Sequence, residues 1–157
     1  MKRARHIFVL DENVLFQSHS CKTIKGDDYD YSSLELIIQI LRNKHRLGLT
    51  DELKKKYLGW LEKLGKEGTN PHALRVWKLF LFDRNKHIFN ENHLNDLPRN
   101  LFHDRHVIEP AYFLEGTLVT TDGKLEDRWN EWTMHDQFPL DIQPPPEAVK
   151  FLEKLDH

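Results

Sequence analysis

The sequence predicts an α/β fold of the three-layer α/β/α type, with a central, mostly parallel sheet of about four or five strands. Short continuous apolar runs alternate with amphipathic helical segments, which is the pattern of a parallel sheet covered by helices on both faces. The chain has 157 residues, of which 39% are hydrophobic. That is enough for a single domain, and we expect it to span residues 1–157.

Charge and apolar patterning restrict the class of protein. The chain carries 23 Lys and Arg residues against 25 Asp and Glu residues, and this near-balance excludes a protein that coats nucleic acid by bulk charge. The apolar runs are too short to cross a membrane, and the N-terminal sequence lacks the apolar length and cleavage site of a signal peptide. The single cysteine excludes an internal disulfide framework. We therefore expect a cytoplasmic protein without a membrane partner.

The start of the chain predicts a buried strand, a loop and a helix. Residues 6–10 are apolar with aromatic and β-branched members, which indicates a strand buried on both faces. Residues 16–30 are polar and predict a loop. Ser32 and Glu35 have the spacing of a capping box, and an apolar repeat of helical period follows them.

The middle of the chain predicts two further helices. Residues 47–49 are a weak candidate strand. Thr50 suits the N-cap of a helix, and Asn70 followed by Pro71 suits the start of another. Residues 86–99 are mixed in character and are predicted to be mostly loop.

The last third of the chain repeats the alternation of strand and helix. A helical apolar face begins after residue 103 and ends at Gly116, which is predicted to be a C-cap glycine. Residues 117–120 predict a second buried strand, and another amphipathic helix follows it. Pro146 suits the first position of a final helix.

Three carboxylates are candidates for a common site. Asp11 and Asp122 follow the two buried strands, and Asp104 begins the helix that leads into the second strand. In an open parallel sheet, ligands bind at the edge where the strands end. Carboxylates that converge there need a cation between them, and hard oxygen ligands suit Mg²⁺ or Mn²⁺. A zinc site needs about four converging ligands, a condition that His103 and His106 beside Asp104 do not meet.

The residues around these acids resemble the PIN domain, a family of metal-dependent nucleases that includes VapC-type toxins. The resemblance covers nearly the whole chain and is clearest in HIFVLDENVLF and in the stretch from HDRH to LVTTDGKL. It implies a ribonuclease that hydrolyses RNA with Mg²⁺ or Mn²⁺ held by Asp11, Asp104 and Asp122. It also implies an antitoxin protein as partner, if the chain is the toxin of such a pair, and a homodimer.

One position departs from the family pattern. The family carries an acid on the helix after the second strand, six positions beyond a Ser or Thr, and counting from Thr50 leads to Lys56. Glu52 lies one turn earlier on the same helix face. Three alternatives follow: Glu52 supplies the fourth catalytic carboxylate, the register differs, or the site uses three aspartates alone. Glu52 could equally well favour the helix start and pair with Lys56.

The predicted function follows from these residues. We expect metal-dependent hydrolysis of RNA phosphodiester bonds, with Asp11, Asp104, Asp122 and Glu52 as catalytic residues. The alternative is a catalytically weak or inactive PIN-like module that binds RNA or docks to a protein, because Lys56 stands where the helix acid is expected.

Overall fold

A computed structural model describes residues 5–22, 29–68, 70–133 and 139–156. Within these ranges the chain forms a five-stranded, all-parallel sheet between helices, so the predicted three-layer α/β/α fold is confirmed. The strands are β1 (Ile7–Leu10), β2 (Arg46–Leu49), β3 (His87–Phe89), β4 (Thr117–Val119) and β5 (Asp141–Gln143). The helices are α1 (Glu12–Ser20), α2 (Ser32–Arg42), α3 (Asp51–Glu67), α4 (Pro71–Phe82), α5 (Arg99–Phe102), α6 (Arg105–Phe113), α7 (Gly123–Trp132) and α8 (Pro145–Leu155).

The strand order places the two predicted buried strands side by side. The sheet runs β3-β2-β1-β4-β5, and every neighbouring pair is parallel. In the register of β1 and β4, Leu10 lies opposite Val119. Both strands therefore end at the same edge of the sheet, and the residues that follow them meet there.

The core lies on both sides of this sheet. The side chains of Phe8, Val9 and Leu10 are fully buried, as expected for a central parallel strand. Helix α2 packs against α1, α4 and α8, whereas α6 packs on β1, β2 and β4. No helix in the described ranges is both long enough and apolar enough to cross a membrane.

The helix starts predicted in the middle of the chain are confirmed, but the capping box is not. The hydroxyl of Thr50 accepts a hydrogen bond from the backbone N–H of Leu53 at 3.0 Å, which caps α3. Ser32 is the first residue of α2 rather than its N-cap. Its backbone N–H and its hydroxyl both donate to Oδ1 of Asp30, at 2.9 and 2.6 Å. Asp30 therefore supplies the carboxylate that satisfies this helix start.

The loop predicted over residues 16–30 is wrong for its first part, because α1 continues to Ser20. This helix buries polar residues instead of apolar ones at its second turn. Trp77 donates from its indole Nε1 to the hydroxyl of Ser18 at 2.8 Å, and Ser33 donates to the amide oxygen of Gln17 at 2.9 Å. Such hydrogen bonds allow polar side chains into a core, and they conceal the helical apolar period. Residues 23–28 of the predicted loop lie outside the described residues.

The loop predicted over residues 86–99 contains the edge strand β3. This strand has three residues, and within the described ranges it pairs with β2 alone. Its side chains are half-buried or exposed, so it lacks the continuous apolar run by which a buried strand is detected.

The prediction for Gly116 is also corrected. Helix α6 ends at Phe113, and Glu115 adopts the left-handed conformation with φ of 53°. Gly116 is required for a different reason, because a Cβ there would lie 2.6 Å from the carbonyl oxygen of Ile7. The final helix begins at Pro145, one residue earlier than predicted.

Candidate functional site

Asp11 lies where β1 ends and α1 begins. Its backbone N–H donates to the carbonyl of Val119 at 2.9 Å, which extends the pairing of β1 with β4 by one residue. Its carboxylate Oδ2 accepts hydrogen bonds from the Thr120 hydroxyl at 2.9 Å and from the Asn13 amide at 3.3 Å. The side chain is buried, with 6% of the residue exposed. The two neighbouring strands thus fix the carboxylate in one orientation.

Asp104 and Asp122 face each other across an arginine. Asp104 is the N-cap residue of α6 and Asp122 that of α7. Nη2 of Arg128, on α7, lies 3.2 Å from Oδ2 of Asp104 and 3.2 Å from Oδ2 of Asp122. One guanidinium nitrogen therefore bridges two of the three aspartates that the sequence singles out.

Glu12 and His106 complete a second group beside Asp11. His106 donates from Nε2 to Oε2 of Glu12 at 2.9 Å, and Nζ of Lys56 lies 4.0 Å from the other carboxylate oxygen of Glu12. Asp11, Glu12 and His106 offer one ligand atom each, and these three atoms lie within 4.8 Å of one another. Because α1 starts directly after Asp11, the chain turn itself places the two adjacent carboxyl groups side by side.

The two adjacent acids have very different proton affinities. Burial raises the pKa of Asp11 to about 7, with a further contribution from the hydrogen bond to Glu12 and from its charge. Burial also opposes the charge of Glu12, but hydrogen bonds from His106 and Asp11 outweigh it and lower the pKa of Glu12 to about 2. Near neutral pH, Glu12 is therefore ionised, whereas Asp11 is present in both its protonated and its ionised form.

His106 and Asp104 extend the same electrostatic cluster. Burial alone would lower the pKa of His106, but the hydrogen bond and charge of Glu12 raise it above its ordinary value. Burial raises the pKa of Asp104, and the charges of Asp122 and Glu12 add to that rise, while Arg128 and His106 oppose it. The acids are therefore close enough that the charge state of each depends on the others.

The helix α3 contributes Lys56 to this cluster rather than an acid. Glu52 is exposed in the first turn of α3, and among the described residues it does not join the ligand group of Asp11, Glu12 and His106. Lys56 points its ammonium group at Glu12. The acid that lies next to Lys56 is therefore Glu12, from α1.

Tyr57 holds the backbone just before Asp11. Its ring is fully buried, and its hydroxyl donates to the carbonyl oxygen of Leu10, the residue before Asp11. Burial, together with the charges of Asp11 and Glu12, keeps the pKa of this hydroxyl well above its usual value. The neutral phenol therefore anchors the end of β1, from which both acids project.

A cleft of about 620 Å³ is lined in part by Lys56 and His106, the two residues that contact Glu12. Phe102 lines this cleft, whereas Phe89 is an exposed ring outside its lining, and each ring has a cation over one face. The guanidinium of Arg105 lies 4.6 Å from the ring centre of Phe102, and Nζ of Lys54 lies 5.7 Å from that of Phe89. Residues along the cleft include Thr50, Glu52, Lys56, Glu91, His93, Phe102, His103, Arg105, His106 and Glu109.

The sequence did not identify three of the residues that matter most here. Glu12 adjoins Asp11, His106 lies two positions after Asp104, and Arg128 lies six positions after Asp122. The proximity of each to a predicted acid was the only available signal, since their contacts join distant parts of the chain. His103 lines the cleft beside them.

Comparisons with protein-family models, with curated proteins and with solved structures gave no match. The observations that bear on function are therefore the chemistry of the carboxyl-terminal edge of the sheet and the sequence resemblance. At that edge, Lys56 and His106 lie within 4.0 Å of Glu12, and Arg128 lies 3.2 Å from both Asp104 and Asp122.

Proposed function

We propose that the chain hydrolyses RNA phosphodiester bonds with a divalent cation bound at the carboxyl-terminal edge of β1 and β4, as its resemblance to PIN-domain nucleases implies. The observation that carries this proposal is the convergence of acids from separate elements. Asp11 follows β1, whereas Asp104 and Asp122 precede α6 and α7. Acids held this close stay together only where positive charge or protons neutralise them.

The donor set beside β1 fits such a cation. The ligand atoms of Asp11, Glu12 and His106 lie within 4.8 Å of one another, close to the spacing of ligands around one ion with bonds of about 2.1 Å. Carboxylate oxygens suit Mg²⁺ and Mn²⁺, and the imidazole nitrogen favours Mn²⁺. When bound, the cation supplies a water of lowered pKa and neutralises charge on the phosphate.

The chain's own residues would orient the substrate and the ligands. Thr120 and Asn13 hold the Asp11 carboxylate in place through hydrogen bonds. Lys56 and Arg128 would bring positive charge to the phosphate on either side of the acids, since each lies within 4.0 Å of a site carboxylate. Positive charge fixed in advance near a phosphate stabilises the negative charge that develops in the transition state.

The adjoining cleft favours a single-stranded RNA as substrate. Phe102 lines the cleft and is 52% exposed, and Phe89, outside the cleft lining, is 40% exposed, so both rings are partly accessible to unstacked bases. Proteins that bind single strands combine such rings with cations that follow the backbone. Arg105 and Lys54 are placed accordingly. A duplex would keep its bases stacked and could not use these rings.

A cleavage assay tests the proposal. A labelled single-stranded RNA is incubated with the protein in Mn²⁺, in Mg²⁺ and in excess chelator. We expect cleavage that requires the cation and that falls by about 100-fold or more in Asp11→Asn, because a ligand is lost. Glu153→Gln, which removes an exposed acid from α8, is the matched control and should cleave normally. Cleavage that persists in chelator, or in Asp11→Asn, would contradict the proposal.

A second candidate function is supported by the two resident cations. Lys56 pairs with Glu12, and Arg128 with Asp104 and Asp122, so the chain neutralises its acids in part without a metal. We therefore also consider a PIN-like module that binds RNA or a protein without cleaving. RNA binding in chelator, with no cleavage in either cation, would favour this function. An antitoxin partner, a homodimer and a cytoplasmic location stay predictions.

A further inference from the structure

The acidic site divides into two unequal halves. In one half, Arg128 lies 3.2 Å from Asp104 and 3.2 Å from Asp122. In the other half, Asp11 and Glu12 lie with His106. The chain provides a guanidinium in the first half, and an ammonium and an imidazole in the second. This difference bears on where a divalent ion can enter.

The Arg128 half already holds a permanent positive charge. A guanidinium cannot lose its proton in the physiological range, so it stays charged whatever the pH. Its contacts with the two carboxylates are charge-assisted hydrogen bonds, which are about twice as strong as neutral ones. The Arg128 side chain is 28% exposed, and its Nε is buried. A divalent ion would have to displace the guanidinium and break both contacts.

The half beside β1 lacks such a barrier. Lys56 approaches Glu12 only to 4.0 Å, and its side chain is 40% exposed. An exposed ammonium at this distance contributes little and can move into solvent. The other positively charged neighbour is the imidazole of His106, whose Nε2 lies 2.9 Å from Oε2 of Glu12. Unlike a guanidinium, an imidazole is itself a common metal ligand, so an ion that enters here replaces this hydrogen bond and gains a ligand.

We infer that Arg128 acts as the built-in second cation of the site, so that the chain binds one divalent ion and not two. The ion enters between Asp11, Glu12 and His106, while Arg128 keeps the place between Asp104 and Asp122. This inference rests on the proposed function for the presence of a divalent ion, but the role of Arg128 is tested separately. Two-metal hydrolases hold their ions about 3.5–4 Å apart, and a guanidinium in one of the two places excludes that arrangement.

Binding stoichiometry tests the inference without an activity assay. Mn²⁺ alone is titrated into the metal-free full chain by calorimetry, and the bound metal is counted after equilibrium dialysis. We expect one Mn²⁺ per chain in the wild type and two in Arg128→Met, which removes the charge and keeps most of the side-chain length. Arg128→Lys keeps a positive charge and should bind one. Circular dichroism verifies the fold of each variant, and Arg128→Gln carries the same expectation if Arg128→Met does not fold.

The control variant is Lys150→Met, because Lys150 pairs with Glu147 on α8, away from the site. It loses the same charge and should still bind one Mn²⁺. Two ions in the wild type, or an unchanged count in the uncharged Arg128 variants, would overturn the role of Arg128. No ion in the wild type but one in Arg128→Met would support that role and contradict the cation of the proposed function. No ion in either protein would overturn both.

Discussion

The imidazole of His106 and the carboxylate of Glu12 are joined by a 2.9 Å hydrogen bond between residues 94 positions apart in the chain. The bond connects the start of α1 with the first turn of α6, on two sides of the β1 strand end. Each partner alters the proton affinity of the other. The contact is therefore both a tertiary link and an element of the acidic site.

The Glu12–His106 pair should give the metal-free protein a characteristic pH dependence. The pKa of His106 is raised above 6.5, so its stabilising contribution is complete below pH 6.5 and is lost as pH rises through the folded pKa. The pKa of Glu12 falls from 4.5 to about 2, so its contribution is present above pH 4.5 and is lost as pH falls toward 2. The pair therefore stabilises most between pH 4.5 and 6.5.

The variant His106→Gln tests this dependence. It keeps a hydrogen-bond donor but cannot carry the charge, and we expect it to lose about 1 kcal/mol of unfolding free energy near pH 6, the difference between a charged and a neutral hydrogen bond. Near pH 8 the difference from the wild type should shrink. Urea unfolding at both pH values measures this, and a difference that is the same at both would contradict the assignment.

Asp11→Asn should stabilise the metal-free protein while abolishing metal-dependent function. Because the pKa of Asp11 rises from 3.8 to about 7, the folded state binds the extra proton and loses stability as pH rises through that window. An asparagine is free of this cost, so the variant should gain up to about 4 kcal/mol near pH 8, at about 1.4 kcal/mol per unit of the shift. Thermal unfolding without cation measures the gain. A variant less stable than the wild type near pH 8 would show that the buried Asp11 carboxylate does not destabilise the fold.

The acid that matters for cation binding should be Glu12 rather than Glu52. Glu12 contacts His106 and belongs to the ligand group, whereas Glu52 is exposed on α3. We expect Glu12→Gln to weaken Mn²⁺ binding by about 10- to 100-fold and Glu52→Gln by far less. The rise in melting temperature with added Mn²⁺ measures both affinities. The reverse order would restore Glu52 as the fourth carboxylate.

Lys56→Glu should strengthen cation binding. It replaces the ammonium that faces Glu12 at 4.0 Å with a carboxylate, which adds a ligand and removes a competing charge. We expect the metal-free protein to be less stable and its stabilisation by Mn²⁺ to be larger. Lys56→Met separates the loss of positive charge from the gain of an acid. An unchanged Mn²⁺ titration in both variants would exclude Lys56 from the site.

Phe102→Ala should weaken the binding of single-stranded RNA in chelator. Loss of one stacking surface costs about 1–3 kcal/mol per base, which is about 5- to 150-fold in affinity. Fluorescence anisotropy with a short oligouridine measures this, and a duplex of equal length should bind weakly to both proteins. Phe82→Ala removes a ring that is 67% exposed on α4 and serves as control. Equal effects of the two variants would contradict an RNA path through the cleft.

The sheet could be predicted from sequence where its strands are buried on both faces. Residues 6–10 and 117–120 each form a continuous apolar run, and both are strands beside each other in the sheet. Strand β3 could not be found in this way, because an edge strand of three half-exposed residues buries too little to leave a pattern. The second half of helix α1 lacks an apolar helical period, because its buried positions hold Gln17 and Ser18, whose hydrogen bonds satisfy them in the core.

The sequence could predict only those site residues that directly follow a buried strand. Asp11 and Asp122 follow buried strands, and this topological rule needs no knowledge of tertiary contacts. The bridging role of Arg128 depends on how α7 is oriented against α6, which local sequence does not specify. The same holds for Lys56 and Glu12, since their pairing requires α3 to lie beside α1.

The hydroxyl of Thr120 donates to Asp11 at 2.9 Å and accepts from the backbone N–H of Asp122 at 3.1 Å. One oxygen atom thus ties together two acids that belong to different strands' ends. A substitution of Thr120 therefore disturbs Asp11 and Asp122 together. The effects of substitutions at these three residues should be strongly non-additive. Serine alone preserves the shared oxygen, so a saturation screen of position 120 should accept serine and reject valine, which has nearly the same shape as threonine.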